Sequence, residues 1–250
     1  MHHHKLFSDK SELYKTARPT YPPELYKCLS SLAPSNKLAW DCACGSGQAA
    51  IGLAKLFSSV YATDISAEQI KAAKAHPNIH YQVRPAEQCD LANESCDLVC
   101  VAQALHWFNL DDFWPEVLRV LKLKGIFSAW GYNWPVLDGD LAQIFNELIL
   151  GPIETYWAPQ NKLLWDHFKD IDFPFGTIQV SKPTMEAIWD LNEFFNFIHT
   201  FSAVRRCIDG MGGEFMERAY RKAKEVWKIP QEKRVIAFDF VLYVGCKKAW

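Results

Sequence analysis

Asp41 stands just ahead of Gly45 and Gly47, and Asp64 closes the next apolar run, residues 60–63. Two glycines between a strand and a helix let the backbone turn tightly and meet a ligand with no Cβ in the way. An acid at the end of the following strand is placed to accept hydrogen bonds from a ribose. Together these residues describe a nucleotide-type cofactor site. The chain has 12 glycines in 250 residues, so a Gly-x-Gly at the one junction that needs it carries weight. A second constellation lies further on, where His106 and Trp107 precede Trp130, Tyr132 and Trp134. That sets one titratable ring among aromatics, able to deprotonate a nucleophile or to position it.

The cofactor pattern has two physical readings. Gly45-Ser46-Gly47-Gln48-Ala49-Ala50 satisfies a relaxed GxGxxA fingerprint, in which a pyrophosphate rests on a helix N-terminus. Asp41 favours the other reading, because a carboxylate ahead of the glycines repels a pyrophosphate and attracts an ammonium group. S-adenosylmethionine offers an ammonium, a sulfonium and a ribose in one molecule. The charge pattern therefore favours the methyl donor.

These residues need a sheet to position them, and the apolar pattern supplies one. Residues 21–32 read as a helix opened by prolines, 38–42 as strand one, 48–57 as a helix and 60–63 as strand two. Ser66 and Gln69 read as a capping box for a helix running to residue 75. Strands three, four and five are expected at 79–83, 98–102 and 126–130, with an amphipathic helix at 113–121 between the last two. The alternation predicts a parallel sheet wound on both faces. After Trp130 the rhythm changes to helices, many aromatics and a strand around 177–180, until the apolar run 235–246 returns as a final strand. Asp190 and Glu193 read as the cap of a helix whose Leu191, Phe194, Phe195 and Ile198 share one face, a stripe that reads as core rather than ligand contact. The expected organisation is a cofactor-binding core over 1–136, a mainly helical, aromatic-rich lid inserted over 137–234, and a last core strand over 235–250.

The chain resembles the class I S-adenosylmethionine-dependent methyltransferases, in particular the methyltransferase type 11 group that includes trans-aconitate methyltransferase-like enzymes. The family's DxGxGxG motif is matched by Asp41-Cys42-Ala43-Cys44-Gly45-Ser46-Gly47, with Ala43 replacing the first glycine. Further matches are Arg18-Pro19-Thr20-Tyr21-Pro22, Ala86-Glu87, Cys96-Asp97-Leu98-Val99, Gln103-Ala104-Leu105-His106-Trp107-Phe108, Leu121-Lys122-Leu123-Lys124-Gly125 and Thr200-Phe201-Ser202-Ala203-Val204-Arg205. The resemblance implies a Rossmann-like α/β sheet, mostly parallel with an antiparallel last strand, and methyl transfer from S-adenosylmethionine, leaving S-adenosylhomocysteine. It implies that backbone around Ala43, Gly45, Gly47 and Gln103 holds the methionine part, Asp64 with Ile65 the ribose side, and Ala86 with Glu87 the adenine edge. Relatives often carry an acid before Ala86, where this chain has Pro85. Tyr14, Arg18 and Tyr21 resemble an arm folding over the cofactor, and Arg18 is suited to pair with its carboxylate. The acceptor side is assigned to Tyr21, His106, Trp107, Trp130, Tyr132, Trp134, Phe201 and Arg205. A small molecule is the expected acceptor, a carboxylic acid methylated on oxygen being favoured. A catalytically silent S-adenosylmethionine-binding protein and a nicotinamide-dependent oxidoreductase are the alternatives.

Net charge of −2 and the lack of a long basic block argue against nucleic acid as partner. The basic stretch 218–228 has Met216, Ala219, Tyr220, Ala223 and Trp227 at helical spacing, so its lysines and arginines form a solvated face. No apolar run reaches the length of a membrane span, and no signal-peptide core opens the chain, so a cytoplasmic protein is expected. The eight cysteines lack zinc-knuckle spacing and read as reduced, buried thiols, with no metal site. A monomer or a homodimer is compatible with this pattern.

Overall fold

The computed structural model describes residues 17–248. Helix α1 (Pro23–Leu32) starts on its own prolines and buries Leu25 and Leu29 against the sheet. Strand β1 (Leu38–Cys42), helix α2 (Gln48–Leu53), strand β2 (Ser59–Asp64), helix α3 (Ala67–Ala72) and strand β3 (Ile79–Val83) follow. Strand β4 (Cys96–Ala102) and helix α4 (Leu110–Val120) lead to the long strand β5 (Leu121–Val136).

The sheet has the order β3-β2-β1-β4-β5-β8-β6. Strands β1 to β5 pair in parallel, and β8 (Arg234–Cys246) lies antiparallel to β5. This is the Rossmann-like sheet with an antiparallel last strand. Side chains alternate between its faces: Leu98 and Cys100 join one core, Val99 and Val101 the other. Both faces are covered, so β4 is buried throughout until its last residue.

Several elements differ from the sequence reading in extent, each for a local reason. Helix α2 ends at Leu53 rather than residue 57, because the Leu56 and Phe57 N–H groups both turn back to the Leu53 carbonyl. Helix α3 ends at Ala72, where Ala73 becomes extended. The Ser66 hydroxyl caps it by accepting from Gln69 N–H, while Ser66 N–H is given to Asp64 rather than to a box partner. Strand β5 begins and ends well outside 126–130, because residues 131–136 pair with β8 beyond the end of β4. Only that long-range partner keeps a segment containing Pro135 extended.

Between β5 and β8 lie α5 (Gly139–Ile144), a π-helical turn Phe145–Leu150, α6 (Asn161–Trp165), the two-residue β6 (Gly176–Thr177) and β7 (Met185–Trp189). The expected strand around 177–180 is thus confined to β6 and one further hydrogen bond from Ile178 to Val244. Strand β7, which pairs with β8, has no counterpart in the sequence reading. Helix α7 (Leu191–His199) carries the complete capping box, with Glu193 N–H on Asp190 and Asp190 N–H on Glu193 at 2.9 and 2.8 Å. Its Leu191, Phe194, Phe195 and Ile198 are buried core, as their spacing predicts. Helices α8 (Ser202–Met211) and α9 (Glu214–Trp227) complete this region, and α9 turns its basic residues outward.

Candidate functional site

The carboxyl ends of the parallel strands open into a cleft of about 1090 Å³. Its floor is the turn after β1. Ala43, Gly45 and Gly47 all have positive φ there, at 57°, 55° and 85°. Across the cleft Gln103, directly after β4, also has a positive φ, 58°. Two non-glycine residues in the left-handed region at adjacent strand ends mark strain held where a ligand would lie. The two glycines serve different needs. A Cβ on Gly47 would come within 2.2 Å of the Tyr81 hydroxyl, so this glycine closes the turn against β3. One on Gly45 would meet nothing nearer than Gln69 Oε1 at 3.8 Å, so here the φ and the open space above are what call for glycine.

Asp64 ties this floor together. Its Oδ2 accepts from Gly45 N–H and its Oδ1 from Ser66 N–H, each at 2.8 Å. Asp64 also lines the cleft. Beside it Ile65 is 53% exposed, an apolar surface facing Ala86 and Glu87 on the same cleft wall. Glu87 Oε1 also accepts weakly from Asn109 N–H, at 3.4 Å.

Asp41 departs from expectation. The sequence reading sets its carboxylate against a cofactor ammonium, but the side chain is fully buried beneath the turn and does not line the cleft. Burial pushes its carboxyl up to about 7. The Cys100 thiol donates to its Oδ1 over 3.7 Å, and its Oδ2 has no partner.

Arg18 and Thr20 line the cleft, and beside them Gln48 Nε2 donates to the Pro19 carbonyl at 3.0 Å. Arg18 donates to the Tyr132 hydroxyl at 2.9 Å and lies over the rings of Tyr132, Phe197 and Phe201, 5.5–5.9 Å from each centroid. Tyr21 lines the cleft, and Tyr14 lies outside the described residues.

A smaller pocket of about 90 Å³ adjoins the cleft and shares Arg18, Gln103, Trp107 and Tyr132 with it as common wall. Gln103 spans the boundary: its Nε2 donates to the Tyr132 carbonyl at 3.1 Å, and its amide lies across Gly131. His106, Trp134, Phe201 and Arg205 line the pocket. Trp130 does not. It is fully buried, edge-on to Tyr21 at 5.7 Å, because it still pairs with Ala102 of β4, whereas Tyr132 and Trp134 lie beyond that strand's end.

His106 sits in a 3-10 turn, Leu105–Trp107, 5% exposed, with its ring 4.8 Å from that of Trp107. Burial lowers its pKa to about 4, so the imidazole is neutral at physiological pH. That makes it a better hydrogen-bond partner than proton acceptor.

Residues absent from the sequence reading complete this pocket, chiefly Asn133, Trp157, Asn161 and Trp165. Trp134, Trp157 and Trp165 stand 5.4–5.5 Å apart, centroid to centroid, with Phe201 5.8–5.9 Å from two of them. No periodicity links these positions along the chain. Tryptophan is about as dense in the inserted region as in the rest of the chain, so its frequency gave no signal either.

The methyltransferase-domain family model matches residues 40–129, from β1 into β5. A Dictyostelium discoideum protein provisionally named as a methyltransferase is 30% identical over 97% of this chain and 94% of its own length. An uncharacterised methyltransferase of Schizosaccharomyces pombe is 24% identical over 91% of this chain and 89% of its own. The solved structure of a provisionally named type II methyltransferase from Anaeromyxobacter dehalogenans superposes with a TM-score of 0.87 at 31% identity, covering 93% of this chain and 99% of that one.

Proposed function

We infer, because this chain belongs to the class I S-adenosylmethionine-dependent methyltransferases, that it transfers a methyl group to a small molecule, and we propose a carboxylate oxygen as the acceptor. The observation that carries the acceptor class is the small pocket itself, where Arg18 and Arg205 join an aromatic wall beside the large cleft. Guanidinium groups suit carboxylates, and an aromatic wall suits the carbon skeleton behind one.

The cleft fits the methyl donor by its shape and its donors. Asp64 brings a carboxylate to the cleft, the group that suits ribose hydroxyls, Ile65 and Ala86 offer apolar surface to an adenine, and the open face above Gly45 admits the methionine part. S-adenosylmethionine supplies an already activated methyl carbon. The chain's own task is then alignment and exclusion of water. Gln103 and Trp107, common to both cavities, set where the acceptor oxygen meets that carbon. A carboxylate needs no general base. Its oxygen forms the new O–C bond, the C–S pair returns to sulfur, and the opposite charges cancel in the aromatic pocket. Neutral His106 fits this reaction as a positioning group. We further propose that residues 137–234 act as the lid that selects the acceptor, since Trp157, Trp165, Phe201 and Arg205 all come from it.

The test is a screen of small acids, phenols and amines with labelled methyl donor. A product that releases methanol in mild base is a methyl ester and supports the proposal. Methylation of phenols or amines only, abolished in His106→Ala, overturns it and makes His106 the base. Binding of S-adenosylhomocysteine with no methylation in any class supports the silent alternative.

A further inference from the structure

Asn133 is 8% exposed and lies in the wall of the small pocket. It sits where the β5–β8 pairing loses register, between Tyr132 and Pro135, and such irregularities re-aim side chains beside functional sites. Its Nδ2 donates to Asp239 Oδ2 at 2.8 Å, and that oxygen also meets His167 Nε2 at 2.9 Å. The acidic partner fixes which end of the amide is the donor. Its other end, Oδ1, is therefore a committed acceptor, and it is buried with no hydrogen-bond partner. On the opposite wall, His106 Nδ1 is likewise buried and unpartnered. Sealed polar atoms in the wall of one pocket are the groups that a ligand entering it would satisfy.

A carboxylate alone cannot do this, because it has no hydrogen to donate to Asn133 Oδ1. Nor does an ammonium group suit the site, since Arg18 and Arg205 line the same small space. A neutral donor is what remains, of which an O–H is the smallest, and a pocket of about 90 Å³ admits only a short carbon skeleton between it and the carboxylate. We propose that the acceptor is a short-chain hydroxy acid, with Asn133 the specificity-determining residue that accepts from its hydroxyl while the carboxylate faces the arginines. This rests on the carboxylate reading above. The hydroxyl is a recognition handle, and the carboxylate oxygen is still the atom methylated.

The experiment compares kcat/KM for butyrate and 3-hydroxybutyrate, and for propionate and lactate, with S-adenosylmethionine and the full chain. A site built to bond a hydroxyl rejects the analogue lacking it, so at least one hydroxy acid is expected to lead its partner by about 100-fold or more. In Asn133→Ala that ratio should fall to about threefold, which is what one lost specific contact predicts. Equal turnover of both members of each pair overturns the inference while leaving the carboxylate reading intact. A hydroxy-acid preference that survives in folded Asn133→Ala also overturns it. Products stable to mild base, or no methylated acid at all, remove the carboxylate reading and this inference with it. Should Asn133→Ala fail to fold, the wild-type ratios decide alone.

Discussion

The two cavities share a wall, yet they are built in opposite ways. The large cleft is assembled from turns that each follow a strand of one parallel sheet, so its key residues are partners at the same or adjacent strand ends: Gly45 with Asp64, Asp64 with Ser66. The small pocket gathers Arg18, His106, Asn133, Trp157 and Arg205, which no element holds in common. Cofactor geometry thus follows from the fold, because any chain making this sheet brings the loops together. Acceptor geometry depends on how one inserted region packs, and that is where a shared fold can carry different substrates.

The contrast predicts that damage to either side stays on that side. The largest effect belongs to Phe201→Ala, since this ring is 4% exposed and touches Trp134, Trp157 and Phe197. Removing a buried phenylalanine costs about 3–5 kcal/mol of stability. Chemical denaturation should show that loss, and the folded fraction should lose turnover while keeping S-adenosylhomocysteine affinity. A larger loss in affinity than in turnover would erase the division between the cavities.

Next comes Asp64→Ala, the converse case. It removes ribose contacts and strips the partner from two backbone N–H groups, so calorimetry should show S-adenosylhomocysteine binding weakened by about 1.5–3 kcal/mol. That is roughly a 10- to 150-fold rise in Kd. An unchanged Kd in the folded variant would take Asp64 out of the site.

Arg205→Met should have a smaller effect, confined to the acceptor. The Michaelis constant for an acid is expected to rise about 10-fold, the scale of one charge-assisted hydrogen bond. Cofactor affinity should stay within about twofold. His106→Ala should slow the chemical step less than this, since a neutral imidazole positions rather than deprotonates. A fall in rate with no change in KM for Arg205→Met would move the guanidinium away from the carboxylate.

The same division governs what could be read from the chain alone. The strand positions, the glycine turn and the Asp190 capping box were legible because each depends on periodicity or on residues a few positions apart, whereas the antiparallel last strand was implied by the family resemblance alone. Asp41 was misplaced because a sequence shows that an acid ends a buried strand but not which side of the turn it takes. Trp130 stays out of the pocket although Tyr132 and Trp134 share its parity, because it pairs with the last residue of β4 while they lie beyond that strand's end, a limit the sequence does not show. Asn133, Trp157 and Trp165 were invisible because their proximity is created by packing between β5 and segments 23 to 32 residues further on. Strand β7 was missed because it borrows its extended shape from β8.

The smallest effect ties the two regions together. Under the glycine turn burial raises Asp41 to about 7, and in the pocket it lowers His106 to about 4, the same desolvation favouring the neutral form of an acid and of a base. Their contributions to stability have opposite signs. Between roughly pH 4 and 6.5, unfolded His106 binds a proton that the folded state refuses, so its share of stability rises with pH through that window. Asp41 holds a proton in the folded state that it would release unfolded, so its share falls as pH rises from about 4 to about 7. With both present the slopes oppose, and the wild-type profile across pH 4–6.5 should be flatter than either single variant's. Asp41→Asn leaves the histidine slope, so denaturation midpoints should climb with pH over that range. His106→Gln leaves the acid slope, and midpoints should decline towards pH 7. Two variants tilting the same way would mean that one group is not held neutral by burial, and the likeness between the two regions would be lost.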